Sequence, residues 1–535
     1  MTAPSRTGAG AMSLRKDKGR PFRRILIANR GEIAVRIIRS CRDLGVETVA
    51  VYSDADIDAL HVRSGDVAVR LGAAPAGESY LRADAIIEAA LATGAEAVHP
   101  GYGFLSERAA FARAVTDAGL VFVGPSADAI EALGDKLAAR RTAQAAGVPV
   151  VPGTFQAVPV DRPDDAAAVI AAAEQIGFPL LVKASAGGGG RGMRLVSKAS
   201  DLPAALAAGS AEAAAAFGDG AVYLEREVRP ARHIEVQLLG DSHGAIVALG
   251  ERDCSIQRRH QKLVEESPAP GLTADERAEL HDLATRAARS AGLHNAATAE
   301  FLFDAERHFW FLEVNARLQV EHGVTELVTD LDLVAEQLWI AAGSPLSDAV
   351  LAAAASAAEP GRHAIEVRLD AEDPSRAFAP SPGRVGAWQM PAGPDVRVDT
   401  AIRAGERVPP DYDPMIAKIM TVGPDRATAI DRMRRALDEV VVTGIQTTLP
   451  FDRALMRDPA FAAADLSTDW VAAHWDGEAD RASALIAAAR IAAGAAAAAG
   501  AAGVPSHGTP SLRKDAPGST WRAAGRTAAT DRWPR

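Results

Sequence analysis

The segment AEFLFDAERHFWFLEVNARLQVEHGVTE, residues 299–326, carries several side chains whose types and spacing could do chemistry. Two apolar runs, EFLFD and FWFLEVN, flank the polar AERH, so the pattern predicts a β-hairpin. Pairing Asp304 with Phe309 would set Glu300 opposite Glu313. Directly opposed side chains lie roughly 5 Å apart at Cβ, and like charges there repel. A divalent cation would turn that repulsion into ligation. Asn315, two residues beyond Glu313 on the same strand face, would add a third oxygen. An all-oxygen donor set suits Mg²⁺ or Mn²⁺ held jointly with phosphates. The competing reading is an acidic pair tolerated on an exposed sheet face. Further on, Arg317, Gln319 and Glu321 alternate and are expected on one strand face. There Glu321 could be a general base and Arg317 a cation orienting an anionic oxygen substrate, or the two could form only a structural ion pair.

A second stretch, KASAGGGGRGMR at 183–194, has four consecutive glycines between Lys183 and Arg191. It lacks the lysine that ends a P-loop. A β-like MRLV follows it, not the helix a dinucleotide-binding turn requires. The reading is strand, glycine loop, strand: a flap able to offer backbone N–H groups to phosphates, or else a plain surface hairpin. A third stretch, ERDCSIQRRHQKLVEESPAPG, packs Arg258, Arg259, His260 and Lys262 into a positive patch between apolar flanks. A phosphate pocket explains it better than a solvated face. Cys254 reads as a packed core thiol.

These stretches need a scaffold. The chain has 535 residues, 48% hydrophobic and 24% charged, enough for roughly three or four globular domains. A net charge of −11 argues against a nucleic-acid partner. Two cysteines, Cys41 and Cys254, provide neither a disulfide framework nor a cysteine-rich zinc site, and fit a cytoplasmic protein. No segment reads as a membrane span or secretory signal. ILIAN, the helix GEIAVRIIRSCRDLG with Ile33, Ile37, Cys41 and Leu44 at helical spacing, and ETVAVYS make a βαβ unit. Such units continue through AEAVHPGYGFLSE and LVFVGPS, predicting a doubly wound N-terminal α/β domain.

Taken together, IANRGEIAVR, HPGYGFLSE, KASAGGGGRGMR, RHIEVQ, ERDCSIQRRHQKLVEESPAP and EVNARLQVEHGVTE closely resemble the biotin carboxylase family of the ATP-grasp superfamily, in unbroken order from about residue 22 to about residue 470. The resemblance implies a mixed α/β and α+β protein. Its parts would be a disordered leader (1–21), an N-terminal α/β domain (22–135), a central ATP-grasp domain with a glycine-rich flap (136–345), a C-terminal biotin-carboxylase-type domain (346–475) and an Ala/Gly/Pro-rich tail or linker (476–535). Lys136 and Lys183 would hold ATP phosphates beneath the flap glycines Gly189 and Gly190. Glu225, with Arg226, Glu227 and Val228, would form the adenine-binding hinge, and His233, Gln257 and His260 would add nucleotide contacts. Glu300, Glu313 and Asn315 would hold the metal. Lys262, Arg317, Gln319, Val320 and Glu321 would form the bicarbonate pocket, and Arg368 would lie near biotin. The catalytic set implied is Arg317, Glu321, Lys262 and Arg368. The chain departs from the family at Ala186, where Gly is frequent, and at Ala316 and Gly323, where Thr or Pro is frequent.

The implied reaction is ATP- and bicarbonate-dependent carboxylation of biotin through carboxyphosphate, feeding an acyl-CoA carboxylase of fatty acid metabolism. Biotin would be a substrate here. It is carried on a lysine, typically within Ala-Met-Lys-Met, and none of the eight methionines precedes a lysine. The expected partners are a biotin carboxyl carrier protein or domain, a carboxyltransferase subunit and further copies of the chain, with no nucleic acid and no membrane. The end at Arg535 reads as either a truncated acetyl-/propionyl-CoA-type α-subunit or a separate subunit. The alternatives are another ATP-grasp carboxylate ligase and a non-catalytic docking subunit.

Overall fold

The structure, a computed structural model, describes residues 19–159, 166–185 and 193–477. The expected leader up to residue 18, the run holding Gly189 and Gly190, and the tail from residue 478 lie outside the described residues.

The N-terminal βαβ pattern folds as its periodicity requires. Strands β1 (Arg24–Ile27), β2 (Glu47–Ser53), β3 (Val67–Gly72), β4 (Ala97–His99) and β5 (Val121–Phe122) form a parallel sheet in the order β3-β2-β1-β4-β5. Helix α1 (Gly31–Asp43) buries Ile33, Ile37 and Cys41 in one cluster with Ile25 and Ile27 of β1. The order reverses between β1 and β4, and the carboxyl ends of strands at such a point form a ligand crevice.

The glycine run joins β6 (Leu180–Ala184) to β7 (Arg194–Val196), which pair antiparallel from Leu180↔Val196 to Val182↔Arg194, as the strand–loop–strand reading expects. With β8 (Val222–Arg226) they form a small sheet, β7-β6-β8.

The rest is built on one antiparallel sheet of eight strands. These are β9 (Ala231–Gly240), β10 (Ile246–Arg258), β11 (Gln261–Ser267), β12 (Asn295–Asp304), β13 (Phe309–Asn315), β14 (His363–Asp370), β15 (Val396–Thr400) and β16 (Met415–Gly423), ordered β13-β12-β9-β10-β11-β14-β16-β15. The expected C-terminal domain therefore continues the sheet of the expected ATP-grasp domain: Val264 to Ser267 pair with Val367 to Ala364.

Alternation divides the faces of these strands. Ile234, Val236 and Leu238 of β9 and Ala299, Phe301 and Phe303 of β12 enter one core cluster. Ile365, Val367 and Leu369 of β14 enter another. The opposite faces present His233, Glu235 and Gln237; Thr298 and Glu300; and Glu366, Arg368 and Asp370. Core packing on one side thus fixes a polar surface on the other.

The hairpin register differs from the expected one. Phe303, not Asp304, pairs with Phe309, yet Glu300 still faces Glu313. A β-bulge between Glu300 and Phe301 resolves the mismatch by inserting Leu312, which an ideal ladder would not accommodate.

Candidate functional site

A cavity of 1500 Å³ opens where the three sheets meet. Every described residue expected at the site lines it, from Lys136 on the N-terminal side to Arg368 on β14.

Beneath it runs a row of three glutamates on adjacent strands, of which Glu300 and Glu313 line the cavity and Glu235 is fully buried: Glu235 of β9 pairs with Glu300 of β12, which pairs with Glu313 of β13. The repulsion expected of facing glutamates is already offset by lysines of the chain itself. Lys262 Nζ lies 2.6 Å from Glu235 Oε2 and 3.1 Å from Glu300 Oε1, and Lys136 Nζ lies 3.2 Å from Glu313 Oε2. His233 Nε2 is 3.0 Å from Glu300 Oε2, while Asn315 Nδ2 and Gln319 Nε2 donate to Glu300 Oε1 over 2.9 and 3.1 Å. Burial raises the Glu300 pKa, but Lys262 and His233 outweigh it and hold the carboxyl far below its ordinary range.

Lys136 opens helix α2 (Lys136–Ala145), whose N-terminal N–H groups are capped by Asp135. Glu313 raises the pKa of this lysine and keeps its ammonium charged. Lys183 Nζ, opposite, lies 2.7 Å from Glu225 Oε1, and Arg140 takes the other oxygen of that carboxylate. The Glu225 side chain is thus committed to two cations. What the expected hinge offers a ligand is Arg226, Glu227 and Val228 along the cavity wall.

The positive patch divides at a hairpin turn. Arg259 and His260 have φ of 49° and 67°, the left-handed pair that a tight two-residue connection between β10 and β11 requires. Arg258 stacks on Phe378 at 4.8 Å, whereas Lys262 turns inward among the carboxylates. Burial lowers the His260 pKa.

Arg317, Gln319 and Glu321 do converge, but not as a strand. They lie in a loop between β13 and helix α3 (His322–Thr329). Arg317 donates to Glu107 Oε2 over 2.8 Å, to Gln319 Oε1 over 2.6 Å and to Asn315 Oδ1 over 3.1 Å. The rival Arg317–Glu321 ion pair is not what forms. The fully buried Glu321 instead sits between Lys262 Nζ at 2.7 Å and Arg368 Nη2 at 2.8 Å. Burial alone would raise its pKa; Lys262, Arg368 and Arg252 hold it well below the usual carboxylate range. Burial likewise opposes a charged Lys262, and the surrounding carboxylates override it. Cys254 is buried as expected, directly behind the base candidate: its Sγ is 4.0 Å from Glu321 Oε1. Burial pushes that thiol well up.

Sequence reasoning missed Glu235, Arg252, Glu265 and Glu107. Arg252, fully buried, donates to Glu235 and to Gln237 Oε1, Thr325 Oγ1 and Thr298 Oγ1. The signal for Glu235 was present in RHIEVQ, where polar His233, Glu235 and Gln237 alternate with apolar residues. Glu107 joins Arg317 from 210 positions away and left no local trace.

The chain is similar to known proteins over most of its length. Residues 21–130 match the family "Biotin carboxylase, N-terminal domain", 135–349 "Carbamoyl-phosphate synthase L chain, ATP binding domain", and 366–473 "Biotin carboxylase C-terminal domain". The chain is 47% identical over 453 residues to a biotin carboxylase of Nostoc sp., covering 84% of this chain and 98% of that one. It is 46% identical over 475 residues to the propionyl-CoA carboxylase alpha chain of Ruegeria pomeroyi, covering 84% and 68%. Among solved structures, a biotin carboxylase–βγ-ATP complex from Campylobacter jejuni superposes with a TM-score of 0.81 at 43% identity, covering 85% and 99%. The biotin carboxylase domain dimer of Hydrogenobacter thermophilus 2-oxoglutarate carboxylase, in complex with MgADP, ADP and bicarbonate, gives a TM-score of 0.80 at 41% identity, covering 85% and 98%. With three domain models matched in order and 47% identity over 453 residues to a relative covered almost end to end, the chain belongs to the biotin carboxylase family.

Proposed function

We propose that this chain carboxylates biotin presented by a separate carrier, using ATP and bicarbonate, through carboxyphosphate. The observation that carries the reading is the buried Glu321 carboxylate held between Lys262 and Arg368 in the cavity that Lys136 and Lys183 also line.

Glu321 takes the bicarbonate proton, and the resulting oxyanion attacks the γ-phosphorus of ATP, releasing ADP. Lys136 and Lys183, now paired with Glu313 and Glu225, exchange those carboxylates for phosphate oxygens and offset the developing charge. Carboxyphosphate breaks down to CO₂ and phosphate. The phosphate takes the N1 proton of biotin, Arg368 steadies the enolate, and N1 bonds to CO₂. The depressed pKa of Glu321 keeps it ionised but weakens it as a base. A substrate that draws Arg368 or Lys262 away restores its basicity where it is needed. The carboxylates of Glu300 and Glu313 and the amide oxygen of Asn315 are hard donors on one face that already attracts a cation, Lys136, and they fit Mg²⁺ or Mn²⁺. Such an ion supplies neutralisation of phosphate charge.

We take residues 22–475 as the catalytic unit, divided at 135 and 345, working with a biotin carboxyl carrier, a carboxyltransferase and a second copy of itself within an acetyl-/propionyl-CoA-type carboxylase. No helix among the described residues is long and apolar enough to cross a membrane. Both cysteines are free and buried, which fits a reducing cytoplasm. The test is bicarbonate-dependent ADP release with and without free biotin, followed by capture of the biotinylated carrier. Biotin-stimulated release supports the proposal; ATP cleavage indifferent to both bicarbonate and biotin contradicts it.

A further inference from the structure

The Gln319–Glu321 loop is held from behind by a lysine that the reaction scheme does not use. Lys418 of β16 is fully buried, and its Nζ donates to the Val320 carbonyl over 2.7 Å. The same nitrogen lies 3.4 Å from Glu32 Oε1 of α1. One ammonium thus joins the N-terminal α/β region, the loop carrying the base, and the C-terminal strands. Burial pulls its pKa down, but Glu32, Glu366 and Asp399 outweigh that and keep it charged. A buried ion pair is weak evidence for stability, since apolar side chains of similar volume often serve as well or better.

The loop needs such an anchor. Glu321 occupies the N-cap position of α3, but its side chain makes no capping bond to the helix. It points to Lys262 and Arg368, so helix formation does not fix it. The helix start also presses on β16: a Cβ at Gly323 would lie 2.3 Å from Met420 Sδ, and Met420 shares a strand face with Lys418. We propose that Lys418 is a positioning residue for bicarbonate activation: by holding the Val320 carbonyl it fixes the peptide leading into Glu321 and so places that carboxylate against bicarbonate. This deepens the biotin carboxylase reading and rests on it.

The test uses the full chain with Lys418→Met, which keeps the stem and loses the donor, and Lys418→Gln, which keeps a neutral donor. A displacement near 1 Å can cost about 100-fold in rate. K418M is therefore expected to lower kcat for bicarbonate-dependent ADP release by about 10- to 100-fold and to raise KM for bicarbonate at least about fivefold. KM for ATP should stay within about twofold, because Lys136 and Lys183 lie on other elements. K418Q should recover at least about fivefold of the lost kcat; if K418M does not fold, K418Q is read alone and should show the same split at smaller size. A folded K418M, or failing it K418Q, with kcat and bicarbonate KM within about twofold of the parent overturns the inference. So does a loss in which the ATP and bicarbonate KM values rise together, which marks general loosening. A parent chain without bicarbonate-dependent ADP release would instead overturn the biotin carboxylase reading, and this inference with it.

Discussion

Arg368 donates from Nη2 to Glu321 Oε2 over 2.8 Å, and its Nε donates to Glu265 Oε1 over 2.6 Å. The arginine proposed for biotin and the base proposed for bicarbonate are bonded to each other. Glu265 completes the bridge; burial pushes its pKa up to about 7, against the pull of Arg368.

That bridge predicts a shifted pH profile. Arg368 is among the groups holding the Glu321 pKa down, so Arg368→Met should raise it. With Glu321 as the proposed base, the acid limb of bicarbonate-dependent ATP cleavage, measured without biotin, should move to higher pH. An acid limb at the same pH or lower would show that Arg368 does not tune this carboxylate.

The metal assignment predicts that Glu300→Gln with Glu313→Gln raises the Mg²⁺ concentration for half-maximal ATP cleavage by about tenfold or more, since both hard anionic donors are lost. The double variant leaves Lys262 and Lys136 without these two partners, so its fold is checked by circular dichroism. Unchanged Mg²⁺ dependence in a folded variant would place the metal elsewhere.

Glu266 offers a stability test away from the chemistry. Its buried carboxylate accepts from Arg426 over 2.6 and 3.0 Å and lies 2.7 Å from His363 Nε2. Burial raises its pKa, but His363 and Arg426 overcome this and bring it from 4.5 to about 2. A carboxyl whose folded pKa is depressed stabilises the fold above its unfolded pKa, and that stability is lost as pH falls through the folded value. Glu266→Gln should therefore cost up to about 3 kcal/mol at pH 7, with the gap to the parent closing between about pH 4.5 and pH 2. Denaturant melts across that range check it; a gap independent of pH would refute it.

Gly323 and Met420 should behave as a coupled pair. A side chain at 323 must displace Met420 Sδ, 2.3 Å from the added Cβ, so Gly323→Thr should destabilise by about 1–3 kcal/mol. Met420→Ala opens the space, and the double variant should be more stable than the sum of the single effects by at least about 0.5 kcal/mol. Strict additivity in thermal or denaturant melts would mean the two do not share that volume.

The hairpin strands and the facing of Glu300 and Glu313 were legible in the sequence because alternation over short runs is a local signal. The bulge at Leu312 was not, since any register that buries Phe301 and Phe311 satisfies the same pattern. Alternation misled at Arg317–Glu321: the residues converge through a loop whose geometry is set by Glu107, Arg368 and Lys418, all distant in sequence. The acidic row looked unpaired because its cations, Lys136 and Lys262, come from outside the hairpin. Charge balance in a buried site is a tertiary property, and motifs disclose its members only one at a time.

Glu321 is the proposed base, and everything else in the reaction depends on it. The most direct measurement pairs ATP affinity by titration with turnover at saturating bicarbonate in Glu321→Gln. Loss of a general base costs about 10²- to 10⁴-fold in rate, while the nucleotide side of the cavity, with Lys136, Lys183 and the wall after Glu225, is left in place. The expected result is a turnover loss in that range with ATP affinity within about threefold of the parent. Collapsed ATP affinity with high residual turnover would contradict it, and the base would have to be sought elsewhere.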